Sequence, residues 1–377
     1  MKTAIIHDWL LGMRGGEKVL EAVCELYPAA DIYTLLHRPE RLSDLLRGKN
    51  VRASWFQTLP WVDHYYRYLL PLMPQAIGRL DASGCDLVIS SSHCVAKGVS
   101  LGGNTVGQRP LHICYCHSPM RYIYDQFDNY FSQDSSSLGL LTRKAAAAFR
   151  SYLAAWDKQS SRQVDHFIAN SENVKRRIEK HYEREAAVIY PPVDVDFYTP
   201  KEGAQGSYYL IAGALVPYKR VDLAIAACRH LKAPLKIVGV GSEENWLRRL
   251  AAGADVEFLG WQSQQTLRGW YQNCAALLFP QEEDFGIAAA EAMACGKPVI
   301  AYKAGGAMET VVEGKTGVFF TEQTASALAS AITQARSMRF EPAAIREQTL
   351  RFDGKIFKSR FGEFIQKALG GKEAALA

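Results

Sequence analysis

The chain has 377 residues, 48% hydrophobic and 22% charged, with 44 Lys+Arg against 39 Asp+Glu. That length suits about two ordinary domains, and the composition excludes disordered, collagen-like and disulfide-stapled chains. A net charge of +5 gives no general reason to expect a nucleic-acid partner. The eight Cys lie mostly in apolar segments, so reduced thiols in the cytoplasm are expected. His7 and Asp8 interrupt the first apolar run before a signal-peptide core forms, and no stretch approaches the roughly 18 apolar residues of a spanning helix.

In chain order, residues 2–8 read as a buried strand. Gly12, Gly15 and Gly16 follow, then a helical spacing from Glu17 to about Tyr27 that Pro28 stops. Further strands are expected at 86–90, 111–116 and 166–169. After them comes a cluster of prolines and glycines, Tyr190-Pro191-Pro192 through Pro200, Gly203 and Gly206. The second half repeats the pattern, with strands at 208–212, 235–239, 256–259, 275–279 and 298–301 separated by helical spacings such as 221–231 and 244–251. Short apolar strands alternating with helices imply parallel βαβ units. The expected organisation is an α/β chain of two doubly wound, Rossmann-like domains facing a central cleft. The first domain is 1–190, a linker is 191–206, the second domain is 207–350, and a helix at 351–377 returns to the first. Ligands of such sheets bind at the carboxyl ends of the strands.

The most informative segment runs Ala275-Ala-Leu-Leu-Phe-Pro-Gln-Glu-Glu283-Asp-Phe285-Gly286-Ile287, then Ala-Ala-Ala-Glu291-Ala-Met-Ala-Cys-Gly-Lys-Pro-Val-Ile-Ala. It reads as strand, acidic loop, helix, glycine stop, strand. Unpaired amides at the helix start around Phe285, Gly286 and Ile287 can face an anion, while Glu283 and Glu291 can accept from hydroxyls. An ordinary acidic cluster at a helix start has the same composition.

This segment resembles the Glu-x7-Glu signature of retaining glycosyltransferases of family 4, which have the GT-B fold. Gly213-Ala-Leu-Val-Pro-Tyr-Lys219-Arg220 is similar to the same family's phosphate clamp, although Ala214 stands where many relatives carry Arg. Gly12-Met-Arg-Gly15-Gly16-Glu17, Cys116-His117-Ser-Pro119, Gly239-Val-Gly241 and Phe258-Leu259-Gly260 match further parts of it. The resemblance implies a nucleotide-diphospho sugar as co-substrate, with no other cofactor and no metal. It places His117 beside the transferred sugar, Lys219 and Arg220 on the diphosphate, Glu283 on sugar hydroxyls and Glu291 on the ribose. Gly15 and Gly16 approach the donor phosphates, and Gly241 and Leu259 form the base-binding edge.

Ala-Ile-Ile-His-Asp-Trp-Leu at the start and Ser-Ser-Ser-His93-Cys-Val-Ala-Lys-Gly are similar to a bacterial subgroup of surface-polysaccharide assembly. That implies transfer of mannose from GDP-mannose to a glycan or lipid-linked acceptor. Rival readings are an epimerase or hydrolase of nucleotide sugars on the same fold, and a non-catalytic sugar-nucleotide-binding protein.

Three smaller features leave alternatives open. His112, Cys114, Cys116 and His117 cluster as zinc ligands would, but strand alternation sends His117 away from the two cysteines. Asp194-Val-Asp196 in the Pro-rich stretch is expected to cap or link rather than bind metal. Trp55 to Arg79, aromatic and basic, is either core packing or a contact with lipid at the cytoplasmic face of a membrane.

Overall fold

A computed structural model describes residues 1–102, 109–125, 139–203 and 206–376 of the chain. The chain divides into two compact units, Met1–Tyr190 with Phe357–Ala377, and Pro191–Ile356.

The first unit carries β1 (Thr3–His7), β2 (Asp31–Thr34), β3 (Val51–Ala53), β4 (Leu87–Ser92), β5 (Leu111–Cys116), β6 (His166–Ala169) and β7 (Ala186–Val188). All pairings are parallel, in the order β3-β2-β1-β4-β5-β6-β7. Alternation along the strands feeds two cores. Ala4, Ile6 and Val88 face one with Phe56, Tyr66 and Met73, while Ile5, Leu87, Ile89 and Ile113 face the other with Val19 and Leu20. A sheet buried on both faces needs such apolar runs. The helix Gly15–Leu26 follows β1, its start fixed by Glu17 Oε2, which accepts from Arg14 N at 3.0 Å.

The second unit carries β8 (Tyr209–Ala212), β9 (Leu235–Val238), β10 (Val256–Gly260), β11 (Ala276–Phe279), β12 (Val299–Tyr302) and β13 (Gly317–Phe320), again parallel, in the order β10-β9-β8-β11-β12-β13. Both sheets therefore reverse strand order beside their first strand, between β1 and β4 and between β8 and β11. In doubly wound sheets the ligand crevice opens at that reversal.

Sequence periodicity misses β2, β3, β7 and β13. Each is only three or four residues long, and β3, β7 and β13 are edge strands. Pro191–Pro200, expected within a linker, is packed into the second unit instead. Arg346 donates to the carbonyls of Val195, Tyr198 and Ala294 at 2.7, 2.6 and 3.0 Å, and Tyr198 is buried. Asp194 accepts from Phe197 N at 2.9 Å and Asp196 meets Lys355 at 2.8 Å. Residues 204 and 205 of the expected linker lie outside the described residues, as does residue 377 of the last expected segment.

At the far end of the chain, Phe357, Phe361 and Ile365 of the helix Gly354–Leu376 join the core of Ile5, Leu20 and Tyr115. Cys114 and Cys116 turn to a separate cluster with Phe167, Val174 and Ile178, and all eight cysteines are free thiols.

A buried ion pair ties the loop after β4 to the helix Gly139–Ser161. Lys97 Nζ binds Asp157 Oδ1 and donates to the Cys94 carbonyl at 3.2 Å, while Asp157 Oδ2 accepts from Tyr182 Oη at 2.8 Å. Burial would lower the Lys97 pKa, but Asp157 outweighs it and raises it. Both side chains are essentially excluded from water.

Candidate functional site

In the first unit the polar residues gather where β1, β4 and β5 end. His7 closes β1, Ser91 lies near the end of β4, and His117 follows β5. Ser91 Oγ sits 3.1 Å from His7 Nδ1 and 2.8 Å from His117 Nε2, joining the two rings. His7 Nε2 faces Glu17 Oε1 at 3.9 Å, so the helix after β1 is tied to the same chain of contacts. Gly16 lies beside both rings: a Cβ there would stand in ordinary contact, 3.7 Å from the His7 ring and 3.8 Å from that of His117. Gly15 is the first residue of the helix.

Asp8, fully buried, is the anchor beneath these groups. Its two oxygens accept from the backbone N–H groups of His93, Cys94, Val95 and Ala96 at 2.6 to 3.0 Å, and from His93 Nδ1 at 3.0 Å. Burial alone would raise its pKa, but His93 and the backbone donors hold it well below the ordinary carboxylate range.

The histidines respond in opposite directions. Desolvation, with His93 and His7 adding repulsion, lowers the His117 pKa to about 3, so it is a neutral ring at physiological pH. His93 is pulled down by burial but raised overall, because Asp8 and then Glu17 favour its cation. A neutral His117 can exchange hydrogen bonds with a hydroxyl but brings no charge to a leaving group. Among the described residues, no three His, Cys, Asp or Glu side chains are grouped as metal ligands.

Sequence reasoning selected His117, Gly15 and Gly16 here and passed over Asp8, Ser91 and His93. The available signal was the polar ending of an apolar strand, Ser90-Ser-Ser-His93, whose partners become neighbours only through the β1–β4 pairing.

In the second unit, Lys219 ends a short turn after β8, and its ammonium meets Glu283 Oε1 from the loop after β11. Expected to bind separate parts of one ligand, the two are ion-paired here, with 16% and 20% of their side chains exposed. The Glu283 loop is held from below by Gly305 and Gly306. Gly306 N donates to the Glu283 carbonyl at 2.8 Å, and a Cβ on Gly305, at φ +60°, would come within 2.3 Å of that oxygen. Gly286 is left-handed at φ +87° and a Cβ would fall 2.8 Å from the Phe279 ring, so the turn into the helix Ile287–Ala294 requires glycine. Phe285 before it is buried against Phe352, at 5.1 Å between centroids.

The other selected residues spread around this pair. Arg220, left-handed at φ 51°, is drawn sideways to Asp222 at 3.1 Å and Gln323 at 3.3 Å. Gly241 packs so closely that a Cβ would stand 2.2 Å from the Leu215 carbonyl. The Leu259 carbonyl accepts from Gln262 Nε2 at 2.6 Å. Glu291 is buried and accepts from Tyr271 Oη at 3.1 Å, and its charge, after burial, raises the pKa of Tyr271 and Tyr198. Its carboxylate is thus directed to phenols within the unit. That tyrosine pair left no mark in the sequence motif.

Two family models match end to end: Glycosyltransferase Family 4 over residues 13–197 and Glycosyl transferases group 1 over residues 197–351. The chain is a GT-B glycosyltransferase family 4-like protein. This family 4-like protein is 29% identical over 208 residues to an uncharacterized glycosyltransferase of Methanocaldococcus jannaschii, covering 54% of this chain and 57% of the relative. It is 30% identical over 187 residues to a D-inositol 3-phosphate glycosyltransferase of Streptomyces avermitilis, covering 41% of this chain and 40% of that one. The chain thus spans about half the length of the curated relatives it matches.

Among solved structures, a sucrose-phosphate synthase of Thermosynechococcus elongatus aligns at TM-score 0.71 and 17% identity, covering 98% of this chain and 100% of that one. Anabaena HepE in complex with UDP-glucose aligns at 0.67 and 20%, covering 97% and 100%. At such identities these are likenesses of fold. Among the described residues of the family 4-like protein, no helix is long and apolar enough to cross a membrane.

Proposed function

We propose that this protein is a retaining hexosyltransferase that moves mannose from GDP-mannose to a glycan or lipid-linked acceptor in polysaccharide biosynthesis. The observation that carries the reading is the Lys219–Glu283 pair at the strand-order reversal of the second sheet. A cation and a hydroxyl-accepting carboxylate, both partly exposed and the carboxylate on a glycine-supported loop, are what a sugar joined to a diphosphate requires. The diphosphate displaces Glu283 from Lys219, whose charge then stabilises the departing anion, with Arg220 beside it. Glu283, released, accepts from the sugar hydroxyls. Amides at Phe285, Gly286 and Ile287 add donors for the phosphates, Gly241 and Leu259 border the base, and Glu291 takes the ribose by exchanging a tyrosine partner. Gly15, Gly16 and neutral His117 serve the first-unit side, His117 by hydrogen bonding a sugar hydroxyl. Lys219 supplies the charge in this scheme, which uses no metal ion or further cofactor.

Donor choice is read directly by thermal shift. GDP-mannose is expected to raise the melting temperature more than UDP- or ADP-sugars, since a ligand at about 100 times its Kd adds about 2.7 kcal/mol. A larger shift with a UDP-sugar would replace the guanine assignment, and free sugar or an epimer as the only product would replace transfer itself.

The protein is proposed to work in the cytoplasm, peripherally at the membrane face. Trp61 and Tyr68 are 79% and 84% exposed, while Phe56, Val62, Tyr66 and Met73 of the same segment are core. Exposed Arg67 and Arg79 flank them, and no carboxylate occurs between Asp63 and Asp81. Binding to phosphatidylglycerol-containing vesicles is expected to fall at least about fivefold in a Trp61→Ser/Tyr68→Ser variant. Unchanged sedimentation with the vesicles would remove this surface.

A further inference from the structure

We propose that the carboxyl edge of the first sheet binds an acceptor carrying a phosphate-class anion, and that His93, positioned by Asp8, donates from Nε2 to an oxygen of that anion. This rests on the transferase reading above and names the substrate class of its acceptor side.

The geometry of the dyad supplies the argument. Asp8 holds both the 93–96 backbone and the Nδ1 side of the His93 ring, so the ring is fixed in orientation as well as position. Trp9 packs edge-on at 4.6 Å between centroids and blocks rotation from one side. The side chain nevertheless stays 30% exposed, and the contact that holds it to Asp8 runs through Nδ1, which leaves Nε2 as the ring nitrogen on the far side of that contact. His117 lies 6.3 Å away, centroid to centroid, so whatever meets His93 also lies close to His117.

The charge pattern around the ring selects the ligand. Facing His93 are Asp8 of the β1 end, Glu17 and Arg14 at the following helix, and the rings of His7 and His117. Both carboxylates are buried and already occupied, Asp8 by five donors and Glu17 by Arg14 N and His7. Of the groups on this edge Arg14 is exposed and His93 and His117 are half-buried, and Arg14 and the His93 cation donate. A donor-rich edge over buried, occupied carboxylates suits an acceptor-only oxygen such as that of a phosphate.

One consequence follows from tautomer chemistry. With Nδ1–H held on Asp8, Nε2 carries a proton only in the imidazolium form, and on deprotonation it becomes an acceptor that repels a phosphate oxygen. Because Asp8 raises the His93 pKa, binding persists to a higher pH than an ordinary histidine would allow and is lost as the pH rises through that pKa.

The test uses histidine NMR on the full chain, with the His93 resonance assigned from His93→Gln. Mannose 1-phosphate, added with GDP already saturating, is expected to shift the His93 signal, whereas methyl mannoside is not. His93→Gln keeps a neutral donor but loses the charge. It should bind mannose 1-phosphate at least tenfold more weakly, without the alkaline fall, while GDP affinity is retained as a check on folding. Asp8→Asn should lower the His93 midpoint and move the alkaline fall to lower pH. Mannose 1-phosphate affinity unchanged in His93→Gln overturns the proposal. So does a His93 shift produced in full by GDP alone, since the donor would then be the source of the phosphate. Failure of every nucleotide sugar to bind would instead sink the transferase reading, whatever His93 does with the monophosphate.

Discussion

Replacing Lys219 by alanine is expected to slow sugar transfer by about 100-fold or more, roughly 3 kcal/mol of barrier, with a smaller change in donor KM. Its ammonium is the charged group at the β8–β11 reversal that touches the Glu283 loop, and Arg220 is turned toward Asp222 and Gln323. Charge that builds on a leaving diphosphate therefore meets a preplaced cation in Lys219, with Arg220 held aside by Asp222. Glu283→Gln gives the contrast. It keeps a hydroxyl partner but breaks the ion pair, so its loss should concentrate in sugar discrimination rather than in the barrier. Steady-state kinetics with labelled donor decide the matter. A Lys219→Ala enzyme within about twofold of wild type would remove Lys219 from the mechanism.

Asp157→Ala is expected to destabilise the first unit by about 3–5 kcal/mol, because it leaves the Lys97 ammonium buried without its counter-charge. The carboxylate also accepts from Tyr182, so a second buried group loses its partner. Urea unfolding followed through the first unit's tryptophans measures the cost. Lys97→Met combined with Asp157→Leu should recover most of it, since removing both charges abolishes the desolvation penalty as well as the attraction. A single-variant loss below about 1 kcal/mol would show that water reaches the pair.

The doubly wound architecture was legible because short apolar strands alternate with helical spacings, and β1, β4, β5, β8 and β11 all lie where those runs occur. The Glu283 loop and Lys219 were legible for a different reason, as a motif whose string is long enough to be specific. What stayed hidden depends on pairing rather than on local pattern. Asp8 and His93 are 85 residues apart and meet through β1 and β4, and no local spacing reports a carboxylate that caps another strand's loop. Similarly, the direction of the Glu291 carboxylate is set by Tyr271 on a neighbouring helix, 20 residues earlier. The side-chain direction of Arg220 was hidden in the same way, because a positive charge beside Lys219 reads as a clamp and only the structure shows its pairing with Asp222.

Phe357, Phe361 and Ile365 complete a core whose other walls are laid down by residues 5 to 189. A ribosome that has released the first 190 residues has therefore delivered a sheet with part of one hydrophobic face still uncovered beside Val19 and Leu20, while the Pro191–Ile356 unit takes nothing from the last segment. Until those three side chains arrive, the first unit's core stays incomplete on that side.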